Sequence, residues 1–114
     1  MAPSLTSAEL AEIQHGYRHL INYSADDPTS PIDPLTYVDS NGDHLLHIAA
    51  SAGDLRTVEL LLRAGIDADQ LGDMGCTALH YANLKGHKEV VNTLLAHGAS
   101  AGIRNEFGGL PGEK

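Results

Sequence analysis

Seven histidines and one cysteine are the residues of this sequence best suited to metal binding or nucleophilic chemistry. His15 and His19 lie four residues apart, so a helix would place both imidazoles on one face, where they could share a metal. Cys76 and His80 have the same spacing and could form a nucleophile with its base. Neither pair has the further residues that a complete site needs, so we favour a solvated or capping role for the first pair and chance for the second.

Two acidic segments superficially resemble calcium loops. In the segment that begins at Asp39 the glycine stands fourth rather than sixth, and Ala50 occupies the twelfth place where a glutamate is needed. The segment that begins at Asp67 has Ala78 at its twelfth place. The sequence also has no phosphate-binding glycine loop and no G-x-S-x-G motif. It therefore predicts a protein that is not an enzyme and that uses no metal and no cofactor.

The net charge of −8 is carried by the first two thirds of the 114 residues. This acidity argues against nucleic acid or an anionic membrane as a partner and favours a basic protein surface, although solubility alone also explains it. The single cysteine excludes an internal disulfide and suits a reducing compartment. No signal peptide and no apolar run of membrane-spanning length is visible, so we expect a cytoplasmic protein.

A repeat becomes visible when the sequence is shifted against itself by 33 residues. The segment 42–50 then lies over 75–83. The same shift pairs Leu61-Leu62 with Leu94-Leu95. It also pairs the glycines that end the helix-like segments, Gly53 with Gly86 and Gly65 with Gly98, and it pairs Gly75 with Gly108. So many coincidences at one shift indicate a repeated structural unit.

Each unit predicts two helices followed by a chain reversal. The first helix contains small residues, Ala49 and Ala50, that allow close packing. Leu55, Val58 and Leu61 recur at three- and four-residue spacing and predict the apolar stripe of a second helix. Stretches rich in Asp and Gly, 67–75 and 100–108, follow as turns.

This pattern resembles ankyrin repeats, whose signature is Thr-Pro-Leu-His-x-Ala. Residues 77–82 read Thr-Ala-Leu-His-Tyr-Ala, and 44–49 read His-Leu-Leu-His-Ile-Ala. The resemblance implies an all-α solenoid of stacked helix pairs joined by hairpin loops. It also implies that His47 and His80 tie the turns by hydrogen bonds, and that His87 is likewise a repeat position. His44 replaces the usual threonine, so we expect weaker capping there.

The single domain is divided as follows: a capping helix or degenerate repeat over 6–24, a proline-rich loop and hairpin arm over 25–38, repeats over 39–71 and 72–104, and a truncated repeat or C-terminal cap over 105–114. Thr6 and Glu9 predict a capping box for the first helix. Its apolar face would contain Leu10, Ile13, Tyr17, Leu20 and Ile21. Phe107 and Leu110 would cover the edge of the last repeat, which is otherwise a candidate dimer contact.

The resemblance implies that a partner protein binds the concave face, formed by hairpin tips and first helices. The matching positions in this sequence are Ser40, Asn41, Asp43, Ser51, Leu71, Asp73, Met74, Cys76, Leu84, Lys85, Arg104 and Phe107. Four of the large apolar residues stand at positions expected to face water and predict a contact patch: Leu71, Met74, Leu84 and Phe107. The alternative is that Leu71 and Phe107 pack beneath the terminal cap. Five aspartates along the hairpin edge would form an acidic rim, although Asp is also a common turn residue: Asp39, Asp43, Asp67, Asp69 and Asp73.

The first hypothesis is a non-catalytic protein-binding module, one version of which is an inhibitor or immunity-type protein acting on a basic target. The alternative is a structural subunit that self-associates through its C-terminal edge. We expect a monomer or weak homo-oligomer.

Overall fold

The computed structural model describes residues 5–23 and 25–112 and is built from α-helices. In chain order these are α1 (Ser7–Gly16), α2 (Leu45–Ala52), α3 (Leu55–Arg63), α4 (Ala78–Leu84) and α5 (Lys88–Ala96). A 3₁₀ turn, Asp73–Gly75, precedes α4. The extended structure in these ranges is a single antiparallel bridge between Val38 and His44. The predicted all-α repeat fold is confirmed.

The last four helices form two pairs, α2 with α3 and α4 with α5. A turn of two or three residues joins the members of each pair, so the chain reverses between them. The pairs stack so that α2 packs on α4 and α3 on α5. The inner layer is therefore α2 and α4, and the outer layer is α3 and α5.

Residue size decides how closely neighbouring helices approach. Ala49, Ala50 and Ala82 are fully buried in the inner layer, where their small side chains let α2 and α4 pack closely. In α3, Val58 and Leu61 are fully buried while Glu59 is exposed, as its apolar stripe predicts. Each fully buried Val or Leu contributes about 1.5–3 kcal/mol of transfer free energy, so this stripe holds the outer layer on the core.

The first helix begins as predicted and ends earlier than predicted. Thr6 Oγ1 accepts from the Glu9 N–H at 3.1 Å, and Glu9 Oε1 accepts from the Thr6 N–H at 3.0 Å, which confirms the capping box. The helix ends at Gly16, so its predicted continuation over 17–23 is wrong, and residue 24 lies outside the described residues. Gly16 is a weak helix former, and Tyr17 is instead buried in the core. Ile21 is 51% exposed and is not part of an apolar helical face.

Helix α1 lies beside the outer layer. The Tyr17 hydroxyl donates to Asp54 Oδ2 at 2.8 Å, and Asp54 also caps α3 through the Thr57 N–H. Burial and then this carboxylate raise the pKa of Tyr17. Salt bridges also join the two helices, between Glu12 and Arg56 and between Glu9 and Arg63. These contacts add a layer next to α3.

The hairpin turns recur at the 33-residue period. In each turn the N–H of the first residue donates to the carbonyl of the fifth: Asp39 to Asp43 at 2.9 Å, Gly72 to Cys76 at 2.8 Å, and Asn105 to Gly109 at 2.9 Å. The third hairpin is thus complete within the described residues.

The edge of the last repeat is only partly covered. Phe107 is 79% exposed, so the expectation that it covers this edge is wrong. The reason is local, because Phe107 lies at the tip of the third hairpin turn. Leu110 is half-buried. Leu95 is 45% exposed, whereas Leu62, its equivalent one repeat earlier, is 8% exposed. The packing that buries Leu62 is therefore missing around Leu95.

Candidate functional site

The exposed side of α2 and α4, together with the three hairpin turns 39–43, 72–76 and 105–109, is called the inner surface below. It corresponds to the concave face on which the sequence places its candidate residues. Two clefts open on it. The first, of about 380 Å³, lies between α2 and α4 and is lined by Asp43, His47, Ile48, Ser51, Ala52, Tyr81 and Lys85. The second, of about 470 Å³, lies between α4 and residues 105–112, and Tyr81 lines it as well.

Asp43 links the first hairpin to the second and to α4. Its Oδ1 accepts from the Asp73 N–H at 2.9 Å and from the Tyr81 hydroxyl at 2.8 Å. Burial, and then Asp43, raise the pKa of Tyr81. Tyr81 is therefore a neutral hydrogen-bond donor at neutral pH, and its ring is fixed between the two clefts.

The repeat-position histidines hold the hairpins on the helices. His47 Nδ1 accepts from the His44 N–H, and its Nε2 bonds to the Gln70 carbonyl, both at 2.9 Å. His80 does the same with the Thr77 N–H and the Gly109 carbonyl. These bonds agree with the role that the resemblance implies.

Burial lowers the pKa of His47, so its neutral form is favoured in the fold. At the head of α2, by contrast, no described group bonds to the buried Nδ1 of His44, so that imidazole does not cap the helix. Where α4 begins, the Thr77 hydroxyl lies 3.4 Å from the His80 N–H that it caps. The expected weaker capping at His44 is therefore present.

His87 joins the two repeats at their other end. Its Nε2 lies 3.0 Å from the Ser51 carbonyl. Its ring packs on Gly53, where a Cβ would come within 2.7 Å of the imidazole. Across the described ranges, no three His, Cys, Asp or Glu side chains are grouped so that they could hold a metal ion.

The candidate residues from the sequence divide into two groups. Those exposed to solvent are Ser40, Asn41, Leu71, Met74, Leu84, Lys85, Arg104 and Phe107. Those half-buried are Asp43, Ser51, Asp73 and Cys76. The first cleft brings together Asp43, Ser51 and Lys85, and the second brings together Cys76 and Leu84. The remaining candidates line neither cleft: Ser40, Asn41, Leu71, Asp73, Met74, Arg104 and Phe107.

The apolar candidates are strongly exposed: Leu71 is 55%, Met74 48% and Leu84 79% accessible. The aspartates expected to rim them are partly used within the fold. Asp39 Oδ1 accepts two backbone N–H groups of its own turn, and Asp69 Oδ1 accepts from the Ser100 N–H. Local hydrogen bonding thus explains why these two turn positions are aspartates.

Met74 adopts a left-handed backbone conformation, with φ of 58°, which is costly for a residue with a side chain. The other two tips have an internal support that this one lacks. Asp39 and Asn105 each accept two N–H groups of their own turns, whereas Gly72 has no side chain. A Cβ at Gly72 would lie 2.4 Å from Asp43 Oδ1. The second tip is therefore shaped by Asp43 of the preceding repeat.

Two residues of the site were missed in the sequence. Tyr81 lines both clefts, yet the 33-residue shift pairs it with Ile48, so it appeared to be an ordinary helix position. Asn105 organises the third tip and donates to Cys76 Sγ at 3.6 Å. The sequence could have indicated this role, since Asn105 occupies the same place in its turn as Asp39.

Comparison with known proteins fits this geometry. The family model for ankyrin repeats, in three copies, matches residues 11–105. The chain belongs to the ankyrin-repeat family. Ankyrin repeats are protein–protein interaction modules, so the inner surface belongs to a scaffold of that class. No helix in the described part of the chain has the length and hydropathy to cross a membrane.

Individual ankyrin proteins show the same similarity. The chain is 34% identical over 86 residues to an ankyrin and IPT/TIG repeat-containing protein of Schizosaccharomyces pombe, covering 75% of this chain and 8% of that protein. It is 33% identical over 79 residues to human protein phosphatase 1 regulatory subunit 27, covering 69% of this chain and 51% of that protein. It is 41% identical over 68 residues to human ankyrin repeat domain-containing protein 13B, covering 59% of this chain and 11% of that protein. The chain thus spans about half or less of these relatives.

Proposed function

We propose that this ankyrin-repeat chain is a non-catalytic module that binds a partner protein through its inner surface. The observation that carries the proposal is the exposure of three large apolar side chains on one side of the molecule. Leu84 lines the second of the two clefts that share Tyr81, while Leu71 and Met74 lie at the second hairpin and line neither cleft. Apolar side chains grouped around concave space and rimmed by polar groups are typical of protein contacts. Burying them against a partner would remove apolar surface from water, which is the main driving force of association.

The chemistry around Cys76 supports a non-catalytic role. His80, the one imidazole that lines the same cleft, uses both ring nitrogens in hydrogen bonds to the backbone. It is therefore not free to act as the base that a cysteine nucleophile requires. Replacing Cys76 with serine should leave partner binding unchanged, and the wild-type thiol should show no enhanced reactivity.

The kind of partner is suggested by charge and by relatives. The net charge of −8 favours a partner with a basic surface. One relative is named a regulatory subunit of protein phosphatase 1, and another, of Saccharomyces cerevisiae, a positive regulatory protein of the phosphate system. These names support binding that regulates a second protein. Inhibition of a basic target, as by an immunity-type protein, is one form that such binding could take.

A second candidate function is self-association through the edge of the last repeat. The observation that favours it is the difference between Leu95, 45% exposed, and Leu62, 8% exposed. A second copy packed on this edge would bury Leu95 as Leu62 is buried. Sedimentation velocity at increasing concentration tests this hypothesis, and a strict monomer at all concentrations refutes it.

The test of the main proposal is affinity enrichment from an extract of the source cells. A Met74→Asn, Leu84→Gln double variant removes apolar surface while both new side chains suit their backbone conformations, since Asn tolerates the left-handed region. Ile21→Gln is the matched control, because Ile21 is 51% exposed, follows α1 in the chain and lines neither cleft of the inner surface. We expect the double variant to lose the partner and the control to retain it. Equal recovery by a folded double variant refutes the proposal.

A further inference from the structure

The cleft between α2 and α4 has apolar walls and polar ends. Ile48 and Ala52 of α2 and Tyr81 of α4 form the walls. Asp43 stands two residues before α2 begins, and Lys85 stands one residue after α4 ends. The Asp43–Asp73 bond lies near the first residues of α2 and α4, and the His87–Ser51 bond lies near their last residues, so the two helices run in the same direction. Asp43 and Lys85 therefore stand toward opposite ends of the cleft, which is amphipathic and polarised.

Among the described residues, no salt bridge reaches the carboxylates at the hairpin end. Among residues 5–23 and 25–112, the salt bridges are those of Arg56 and Arg63, which both lie on the outer layer. Asp43 uses Oδ1 for both of its side-chain hydrogen bonds, and no described group donates to Oδ2. Asp73, held next to Asp43 through its N–H, acts electrostatically on the same tyrosine hydroxyl. The hairpin end of the cleft is thus negative and unpaired.

A neutral side chain in this cleft would leave these carboxylates desolvated and unpaired, which is unfavourable. A partner carboxylate directed at Lys85 would pair with an exposed ammonium group, and such pairs contribute little. A long cationic side chain matches both the apolar walls and the negative hairpin end. Its methylene stem would cover the apolar walls and its head would reach Asp43, an arrangement that lysine and arginine commonly adopt.

We propose that this cleft is a socket for one lysine or arginine side chain of the partner, and that the Asp43 carboxylate pairs with the charge of that side chain. The inference rests on the proposed function, since the cation belongs to a bound protein. The partner is then recognised by charge as well as by apolar surface. Asp43 then has two roles, because it also positions the Asp73 turn and Tyr81.

The test is an NMR titration of ¹⁵N-labelled protein with blocked tripeptides. The probes are acetyl-Gly-Arg-Gly-amide, the same peptide with norleucine in place of arginine, and the same peptide with glutamate. We expect the arginine peptide to shift the amides of Ile48, Ser51 and Tyr81 saturably, with affinity in the millimolar range. Norleucine and glutamate peptides should bind about tenfold more weakly, since a charge-assisted bond is lost.

The variant that isolates the charge is Asp43→Asn, because its amide oxygen can still accept from Asp73 and Tyr81. We expect it to weaken the arginine peptide about tenfold. Glu59→Gln, on the exposed side of α3, removes one charge elsewhere and should have no effect.

Equal binding of the norleucine peptide, an unaltered affinity in Asp43→Asn, or no shift at the cleft would each overturn the socket. None of these results would touch the proposed function, which the Met74 and Leu84 double variant tests separately.

Discussion

The packing between repeats predicts that alanine destabilises the fold unequally at two equivalent glycines. Gly53 and Gly86 are 33 residues apart, each follows its inner helix, and their φ values are 73° and 75°. They differ in their surroundings. A Cβ at Gly53 would lie 2.7 Å from two atoms of the His87 ring, whereas one at Gly86 would meet nothing within 4 Å. Alanine at Gly86 therefore measures the backbone cost alone.

The backbone cost is about 1–2 kcal/mol for an L-residue in the left-handed region, less about 0.4–1 kcal/mol because alanine restricts the unfolded chain. Gly86→Ala should thus destabilise by roughly 1 kcal/mol. Gly53→Ala must also displace the His87 ring and its 3.0 Å bond to the Ser51 carbonyl, worth about 0.5–1.5 kcal/mol. We expect a total of roughly 2 kcal/mol.

Urea unfolding followed by far-ultraviolet circular dichroism measures both costs, provided that the m-value stays constant. A double-mutant cycle with His87→Ala sharpens the test, because removing the ring removes the clash. In that background the two glycine substitutions should cost the same. Equal costs in the wild-type background, or a difference that persists without His87, would refute the packing described between the repeats.

Three further predictions concern single side chains. Met74→Asn should stabilise the fold by roughly 1 kcal/mol, because Asn tolerates φ of 58° better than Met; a lower urea midpoint than wild type would contradict this. Burial lowers the pKa of His47, so its protonation favours the unfolded state and stability should fall as pH drops below about 6.5. A His47→Gln variant should show a flatter pH profile there, and an unchanged slope would contradict this role of His47. Tyr17→Phe removes the 2.8 Å hydrogen bond to the Asp54 carboxylate that caps α3, and it should lower the free energy of unfolding by about 1–2 kcal/mol. Tyr23→Phe, at a residue 54% exposed, should change it hardly at all. Similar losses for the two variants would refute this role of the Tyr17 hydroxyl.

The repeat architecture could be predicted because its determinants recur. Glycines, alanines and leucines return at a fixed period since each unit packs against a copy of itself. The imidazole hydrogen bonds of His47 and His80 followed from their places in the signature. The extent of α1 was mispredicted because Leu20 and Ile21 continue a helical spacing by coincidence beyond Gly16, where the chain turns.

The details of the site depended on contacts between repeats, which a period does not encode. The left-handed conformation of Met74 arises where Gly72 lacks the side chain that supports the other tips, and where Asp43 of the previous repeat takes its place. The place of Tyr81 between two clefts depends on the same carboxylate. Exposure of Leu71 and Leu84, by contrast, was correctly expected from their repeat positions.

The most direct test of the central claim is a hydrogen-exchange footprint of the chain with the partner that affinity enrichment captures. A protein bound to the inner surface should slow amide exchange in the turns 39–43 and 72–76 and along α2 and α4. Exchange in α1 and in the outer helices α3 and α5 should change little. Protection confined to α1, α3 or α5, with the inner surface unchanged, would contradict the account.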